Sequence, residues 1–215
     1  MATLTFVLGK SGTGKSTSLR NFKKDDGIGY ITATGKPLPF KNDIPQFHAR
    51  NYAELAQAIT QGKAPVIVID DFNYFMSFEE FSKTGIKGYD KFTEMAVNVV
   101  NIIDLITKKD TDQRFYILAH SDNNDDNQLR LKTTGKMVSD KFVPEGLTNQ
   151  VIETAVIDGQ FVFKVQTDGT GIKTPMGMFE TPTIENDLKV LDEVIAELYA
   201  PVKPKAKSTK GKEKK

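Results

Sequence analysis

Hydrophobic residues along this chain form two patterns, short continuous runs and longer stripes at helical spacing. A short continuous apolar run is typical of a strand that is covered on both faces of a parallel sheet. Runs of this kind predict strands at Thr3–Leu8, Ile28–Thr32, Val66–Ile69 and Arg114–His120. Apolar residues spaced three and four apart predict helices at Tyr52–Gln61, Phe92–Ile106 and Glu185–Tyr199.

Turn-forming residues separate these elements. The loop Gly35–Phe40 contains two prolines, and 121–128 is almost entirely Asp and Asn, so both are predicted to lack regular structure and the second to be solvated and mobile. Asp158-Gly159 joins two β-prone runs, 151–157 and 160–165, as the two-residue turn of a hairpin. We expect this hairpin to lie at one edge of the sheet.

The alternation of strands and helices predicts a three-layer α/β fold, with a mostly parallel central sheet and helices on both of its faces. A length of 215 residues suits one domain, which we place at 1–200. Beyond it, 201–215 is rich in lysine and is predicted to be a disordered tail. Ligands of such sheets bind beyond the carboxyl ends of the strands, where the loops after them converge.

Composition excludes several kinds of chemistry. The chain has no cysteine, which excludes disulfides, thiolate catalysis and cysteine-ligated metal centres, and favours a cytoplasmic location. No apolar run is long enough to predict a membrane-spanning helix. Seven lysines and one glutamate give 201–215 a charge of +6, so the remaining residues carry −5 of the net +1. An acidic body predicts that any contact with nucleic acid is local.

A glycine-rich segment follows the first predicted strand and matches the phosphate-binding pattern G-x-x-x-x-G-K-[ST] in full. Its residues, with the threonine that follows, are Gly9, Lys10, Ser11, Gly12, Thr13, Gly14, Lys15, Ser16 and Thr17. Glycines let successive backbone N–H groups surround a phosphate, and a helix predicted at Lys15–Phe22 would add its positive end. The pattern therefore predicts ATP binding, with Lys15 on the β- and γ-phosphates and Ser16 as a ligand of Mg²⁺.

Two carboxylates, Asp70 and Asp71, end the predicted strand that begins at Val66. In P-loop enzymes a carboxylate at this position holds magnesium, and a second can orient the attacking water. We assign Asp70 to the metal. Asp71 is the candidate general base.

Further candidates come from the second half of the chain. His120 ends a predicted buried strand and could sense the γ-phosphate, or it could be structural. Arg130, Lys132, Lys136 and Lys141 form a basic stretch. These cations could reach the γ-phosphate of a neighbouring subunit, with Arg130 as the catalytic candidate; they could hold a DNA backbone, or form a solvated surface.

With these residues assembled, 1–200 resembles the phage-type nucleotide-binding proteins of the RecA-like and AAA P-loop group. The resemblance rests on Gly9–Ser16, Gly35–Phe40, Val66–Asp71, Ile117–Ser121 and Gly135–Lys141. It implies an oligomeric ATPase core among phage replication and recombination proteins, some of which bind single-stranded DNA and assist annealing or strand exchange. RecA-like proteins commonly carry a catalytic Glu after the second strand, where this chain has Thr32–Gly35. Asp70 or Asp71 takes that role, or hydrolysis is slow.

Two alternative functions stay open at this point. A small-substrate kinase, acting on a nucleoside or nucleotide, usually supplies several arginines from a lid, and this chain has four arginines in all. A regulatory ATP-binding module with little turnover would suit the missing glutamate. A GTPase is disfavoured, because the only base-reading candidate, Thr107–Asp110, precedes a strand.

Overall fold

A nine-stranded sheet forms the centre of the molecule in the computed structural model, which describes residues 1–86, 88, 90–134, 143–166 and 169–200. The strands in chain order are β1 (Thr3–Gly9), β2 (Ile28–Thr32), β3 (Gln46–His48), β4 (Val66–Asp70), β5 (Arg114–Asn123), β6 (Leu129–Leu131), β7 (Gln150–Ile157), β8 (Gln160–Lys164) and β9 (Thr183–Glu185). They lie in the order β3-β2-β4-β5-β1-β7-β8-β9, and β6 pairs with β5 outside this row.

All pairs from β3 to β7 are parallel, while β8, β9 and β6 pair antiparallel. The prediction of a mixed α/β fold with a mostly parallel central sheet is confirmed. β1 lies between β5 and β7, both from the second half of the chain. Since parallel strands end at the same edge of a sheet, the segments after β1, β4 and β5 meet at that edge.

Alternate residues of the strands enter two separate hydrophobic clusters, one on each face of the sheet. In β1, Phe6 packs in the cluster that contains residues of α1 (Tyr52–Gln61), α2 (Asn73–Ser82) and α3 (Asp90–Thr107). Its neighbour Val7 packs in the other cluster with residues of α4 (Leu188–Leu198). The central strands β1, β4 and β5 are therefore covered on both faces, which explains their continuous apolar runs.

Side-chain caps fix the start of two helices. The Asn51 side chain accepts a hydrogen bond from the backbone N–H of Glu54 at the start of α1, and Asp187 accepts one from Lys189 at the start of α4. Among the described residues, no helix is long and apolar enough to cross a membrane.

The predicted helix Lys15–Phe22 is wrong. Only Ser16–Leu19 is helical there, as a single turn of 3-10 helix. Polar side chains of this segment compete with the helix: the Ser18 hydroxyl donates to the Lys15 carbonyl oxygen at 2.6 Å, and Asn21 donates to Asp187. The segment is thus held by side-chain bonds, and it lacks the long helix whose dipole the sequence predicted.

Two loop and edge predictions also need correction. Within the predicted loop 121–128, Ser121–Asn123 continues β5 and pairs with Leu129–Leu131, because Leu129 and Leu131 are buried. The β7–β8 hairpin turns at Asp158 and Gly159 as predicted, and both residues have positive φ, but the hairpin does not form the edge. That position belongs to β9, whose three residues are too few to leave a clear pattern. The predicted tail, 201–215, lies outside the described residues.

Candidate functional site

The glycine-rich loop leaves β1 at the centre of the carboxyl edge. Gly12 and Gly14 have φ values of 78° and 94°, which side chains disfavour. Gly9 is required for a different reason, since a Cβ there would lie 2.0 Å from Thr154 Oγ1 and 2.9 Å from the Thr154 carbonyl oxygen. The predicted need for glycine at these positions therefore has a physical basis in both backbone conformation and close packing.

The Lys15 side chain folds back along its own loop. Its ammonium group donates to the carbonyl oxygens of Gly9 at 2.7 Å and Lys10 at 2.8 Å, and the residue is only 8% exposed. Burial lowers the pKa of Lys15, and the charges of Asp70 and Asp71 oppose that change. A positive charge is thus held inside the loop beside two carboxylates.

Asp70 is the centre of the hydrogen-bond network at this edge. Its Oδ2 atom accepts from Ser16 Oγ at 2.6 Å and from the Tyr30 hydroxyl at 2.9 Å, and its Oδ1 atom accepts from the backbone N–H of Asp71 at 2.7 Å. Burial raises the pKa of Asp70, against the lowering effect of the bonds from Ser16 and Tyr30. The carboxylate is therefore positioned by three donors, and within the described part of the chain no cationic side chain forms an ion pair with it.

The residues assigned to magnesium fit that ion. Mg²⁺ binds oxygen ligands and commonly takes only one or two from the protein, with phosphates and water supplying the others. Ser16 Oγ and Asp70 Oδ2 are two oxygens in contact at 2.6 Å. Within the described part of the chain, no three or more His, Asp and Glu side chains gather as a metal site. The donor set thus suits a cation that arrives with a phosphate ligand.

Asp71 has an unusual backbone conformation, with φ of 59° directly after β4. Its Oδ2 atom accepts from Thr34 Oγ1 at 2.6 Å. Thr34 belongs to the segment after β2, where RecA-like proteins commonly carry their glutamate. The segment after β2 therefore contacts the site through the Thr34 hydroxyl, which fixes the Asp71 carboxylate. No local pattern in the sequence indicated this contact.

His120 lies between the glycine loop and the carboxylates, because β5 is the strand between β1 and β4. It pairs in register with Gly9, and its backbone N–H donates to the Asn73 side chain. Its ring lies 6.3 Å from that of Tyr74, centroid to centroid. Burial, followed by the charge of Lys15, lowers the pKa of His120, so the neutral imidazole is favoured.

Arg130 is not part of this cluster. Its guanidinium lies 3.7 Å from a carboxylate oxygen of Glu145, and both charges affect the pKa of Lys173. Lys132 is closer to the site through its backbone, since its N–H donates to the His120 carbonyl oxygen at 2.8 Å. Lys136 and Lys141 lie outside the described residues.

Sequence reasoning missed Tyr30, Thr34 and Asn73, which position Asp70, Asp71 and His120. Tyr30 and Thr34 lie on or just after a strand that neighbours β4, so only the sheet order would have revealed them. No protein-family model matches the chain, and neither does any curated protein sequence. The function must therefore be inferred from the chemistry of these side chains.

Proposed function

We propose that this chain binds ATP together with Mg²⁺ and hydrolyses it. The observation that supports this most strongly is the 2.6 Å bond between Ser16 and Asp70, which are 54 residues apart. Each was assigned to the same cation from a separate motif, Ser16 from the glycine loop and Asp70 from the end of a buried strand. A chance match to the loop pattern would not bring the second motif into contact with it.

In the proposed complex, the backbone N–H groups of Gly12–Ser16 bind the phosphates. Lys15 exchanges its bonds to the Gly9 and Lys10 carbonyl oxygens for the β- and γ-phosphate oxygens. Ser16 and Asp70 hold Mg²⁺, which neutralises charge on the phosphates when it is bound. Bound there, magnesium would also place a positive charge beside the buried carboxylate of Asp70, which forms no ion pair with any described residue.

Hydrolysis needs a water molecule directed at the γ-phosphorus. Asp71 accepts the proton of this water as its oxygen forms the new P–O bond and the bond to ADP breaks. Thr34 fixes the orientation of the Asp71 carboxylate through the 2.6 Å hydrogen bond. His120, whose backbone is bonded to Asn73 and whose ring packs near Tyr74, is assigned to respond to the γ-phosphate, since the charges of Lys15 and Asp71 both affect its pKa.

The decisive measurement is binding and turnover of Mg-ATP by the native chain, by Lys15→Ala and by Asp71→Asn. We expect Lys15→Ala to weaken binding and abolish turnover, and Asp71→Asn to keep binding but lose turnover. Lys63→Ala, which removes an exposed lysine in the segment before β4, is the matched control and should change neither. Unchanged affinity and turnover in Lys15→Ala would disprove the proposal.

One observation favours a second candidate, a regulatory ATP-binding module with little turnover. Thr34 lies where a catalytic glutamate is expected, and its hydroxyl donates a hydrogen bond to the Oδ2 atom of Asp71, the candidate general base. Native chain that binds Mg-ATP tightly without releasing phosphate would establish this module. A small-substrate kinase has less support, because Arg130, its best lid cation, is paired with Glu145.

The resemblance to phage RecA-like proteins extends the proposal to a cellular role. We propose that a homo-oligomer acts on single-stranded DNA in phage recombination or replication, in the host cytoplasm. The net charge of −5 on 1–200 requires the DNA contact to be local, and an oligomer would repeat such a contact along a strand. Turnover should rise when single-stranded DNA is added. DNA that neither binds nor changes turnover would remove the recombination role and leave the ATPase.

A further inference from the structure

Asn186 is a buried polar side chain beside the glycine loop. It is 0% exposed, and neither its Oδ1 nor its Nδ2 atom has a hydrogen-bond partner among the described residues. Its Oδ1 atom lies against Gly14, at 3.1 Å from the point where a Cβ on Gly14 would be. Buried amides are almost always paired, so an unpaired one in contact with a phosphate loop indicates a missing ligand.

An aromatic ring lies next to this amide. Phe161 of β8 also packs against Gly14, with its Cδ1 atom 3.0 Å from the same Cβ position, and the Asn186 backbone N–H donates to the Phe161 carbonyl oxygen. Phe161 pairs across the hairpin with Val156, so the two side chains share a face, and they are 43% and 49% exposed. Ring, amide and loop are thus neighbours, with the ring partly open to solvent and the amide buried.

The position of this surface matches the path of a nucleotide across the loop. The metal residue Asp70 ends β4, which lies on one side of β1, while β7 and β8 lie on the other side. Because β7 is parallel to β1, the tip of the β7–β8 hairpin extends beyond the same carboxyl edge. A triphosphate that places its γ-phosphate beside Asp70 therefore directs its nucleoside towards Phe161.

We propose that the Phe161 ring stacks on the base of the bound nucleotide and that the Asn186 amide selects adenine. This inference rests on the proposed ATP site and assigns the residues that choose the base. An amide presents one donor and one acceptor side by side, which match the N7 acceptor and N6 amino group of adenine. Guanine offers two acceptors, N7 and O6, and leaves the Asn186 oxygen unpaired. Because the Asn186 amide is fully buried, the proposed contact requires the half-exposed Phe161 ring to rotate and admit the base.

Calorimetric titration with three ligands tests this assignment. The three proteins are native chain, Phe161→Ala and Asn186→Leu. Each is titrated with Mg-ATP, with Mg-GTP and with Mg-tripolyphosphate, which has the phosphates but no base. We expect Phe161→Ala to bind ATP about tenfold more weakly, as for loss of one base–aromatic stack, with tripolyphosphate affinity unchanged. Asn186→Leu should bind ATP and GTP equally. Phe47→Ala, an equally exposed aromatic on the distant strand β3, is the matched control.

The outcomes separate this inference from the function on which it rests. Native chain that does not distinguish ATP from GTP, or Phe161→Ala that weakens tripolyphosphate as much as ATP, overturns the base site alone. Failure of all three ligands to bind native chain overturns the proposed function as well. Asn186→Leu also has a readout without ligand: because it removes unpaired buried polar atoms and keeps the branched shape of the side chain, its melting temperature should not fall below that of native chain. If it fails to fold, the Phe161→Ala comparison still decides.

Discussion

Asp70 is a buried carboxylate, and the substitution Asp70→Asn should therefore stabilise the ligand-free protein at neutral pH while destroying its response to magnesium nucleotide. Burial raises the pKa of Asp70 above its ordinary value of 3.8. At a pH between the ordinary pKa, which applies to the unfolded chain, and the raised pKa of the folded state, Asp70 keeps a proton in the folded protein that it has lost in the unfolded chain. The free energy of unfolding then falls by about 1.4 kcal/mol for each pH unit, and the loss is complete above the folded pKa.

Asparagine avoids this penalty because it has no charge at any pH. Its oxygen can accept from the Asp71 backbone N–H, and the hydroxyls of Ser16 and Tyr30 can rotate to accept from its amide. The substitution also removes the attraction between the Asp70 carboxylate and the Lys15 ammonium, which opposes the gain. Burial is nevertheless the largest cause of the pKa change in both Asp70 and Lys15. We therefore expect the stability gain of Asp70→Asn to grow as the pH rises from 4 to 8.

Urea unfolding of both proteins across this pH range measures the gain directly. Asp71→Asn is the matched comparison, since asparagine tolerates the left-handed backbone of this position. It removes a neighbouring charge that adds to the rise in the pKa of Asp70 but leaves the burial of Asp70 unchanged, so its gain with pH should be smaller than that of Asp70→Asn. Mg-ATP at a hundred times its dissociation constant should add about 2.7 kcal/mol to native chain and much less to Asp70→Asn. An Asp70→Asn protein that is less stable than native chain at pH 8, by an amount independent of pH, would refute the reasoning.

Three further substitutions follow from the same network and core. Gly9→Ala should cost about 1–3 kcal/mol of unfolding free energy through its contact with Thr154, whereas Gly85→Ala, which meets no atom within 4 Å, should cost almost nothing. Tyr30→Phe removes a bond to the ionised Asp70 and should cost about 1.5 kcal/mol at pH 8 but less at pH 4, as urea unfolding at both values will show. Asp192→Ala leaves Arg114 and Tyr116 without their partner and should lower the free energy of unfolding by about 3 kcal/mol. The control Asp104→Ala breaks an exposed ion pair and should lower it by less than about 0.5 kcal/mol. Equal losses of unfolding free energy in the two variants would contradict the role of burial.

The parts of the site that sequence predicted are those encoded by a local pattern. The loop Gly9–Ser16 carries its glycines and lysine within eight residues, and Asp70 follows a run of apolar residues that only a buried strand explains. The central strands were predicted for the same reason. The short strand β3 was missed because its three residues are all exposed and leave no apolar run.

What sequence could not predict depends on which strands become neighbours. Tyr30 reaches Asp70 because β2 pairs with β4, and Phe161 reaches Gly14 because β7 pairs with β1 and carries β8 beside it. The predicted helix Lys15–Phe22 failed because its polar side chains have partners around Asn186 and Asp187, far along the chain. Apolar periodicity alone contains no information about those partners.

The central position of β1 affects how the protein acquires its site during synthesis. Thr3 pairs with Arg114 on one side and Thr5 with Gln150 on the other, so a nascent chain carries a nearly fully buried strand long before either neighbour exists. Until then its apolar residues and backbone groups are available to other chains. The glycine loop also waits for contacts from Thr154 and Asn186 before its shape is fixed. We therefore expect the proposed nucleotide binding only from the finished fold, and a ribosome-bound chain that ends before β7 should not show it.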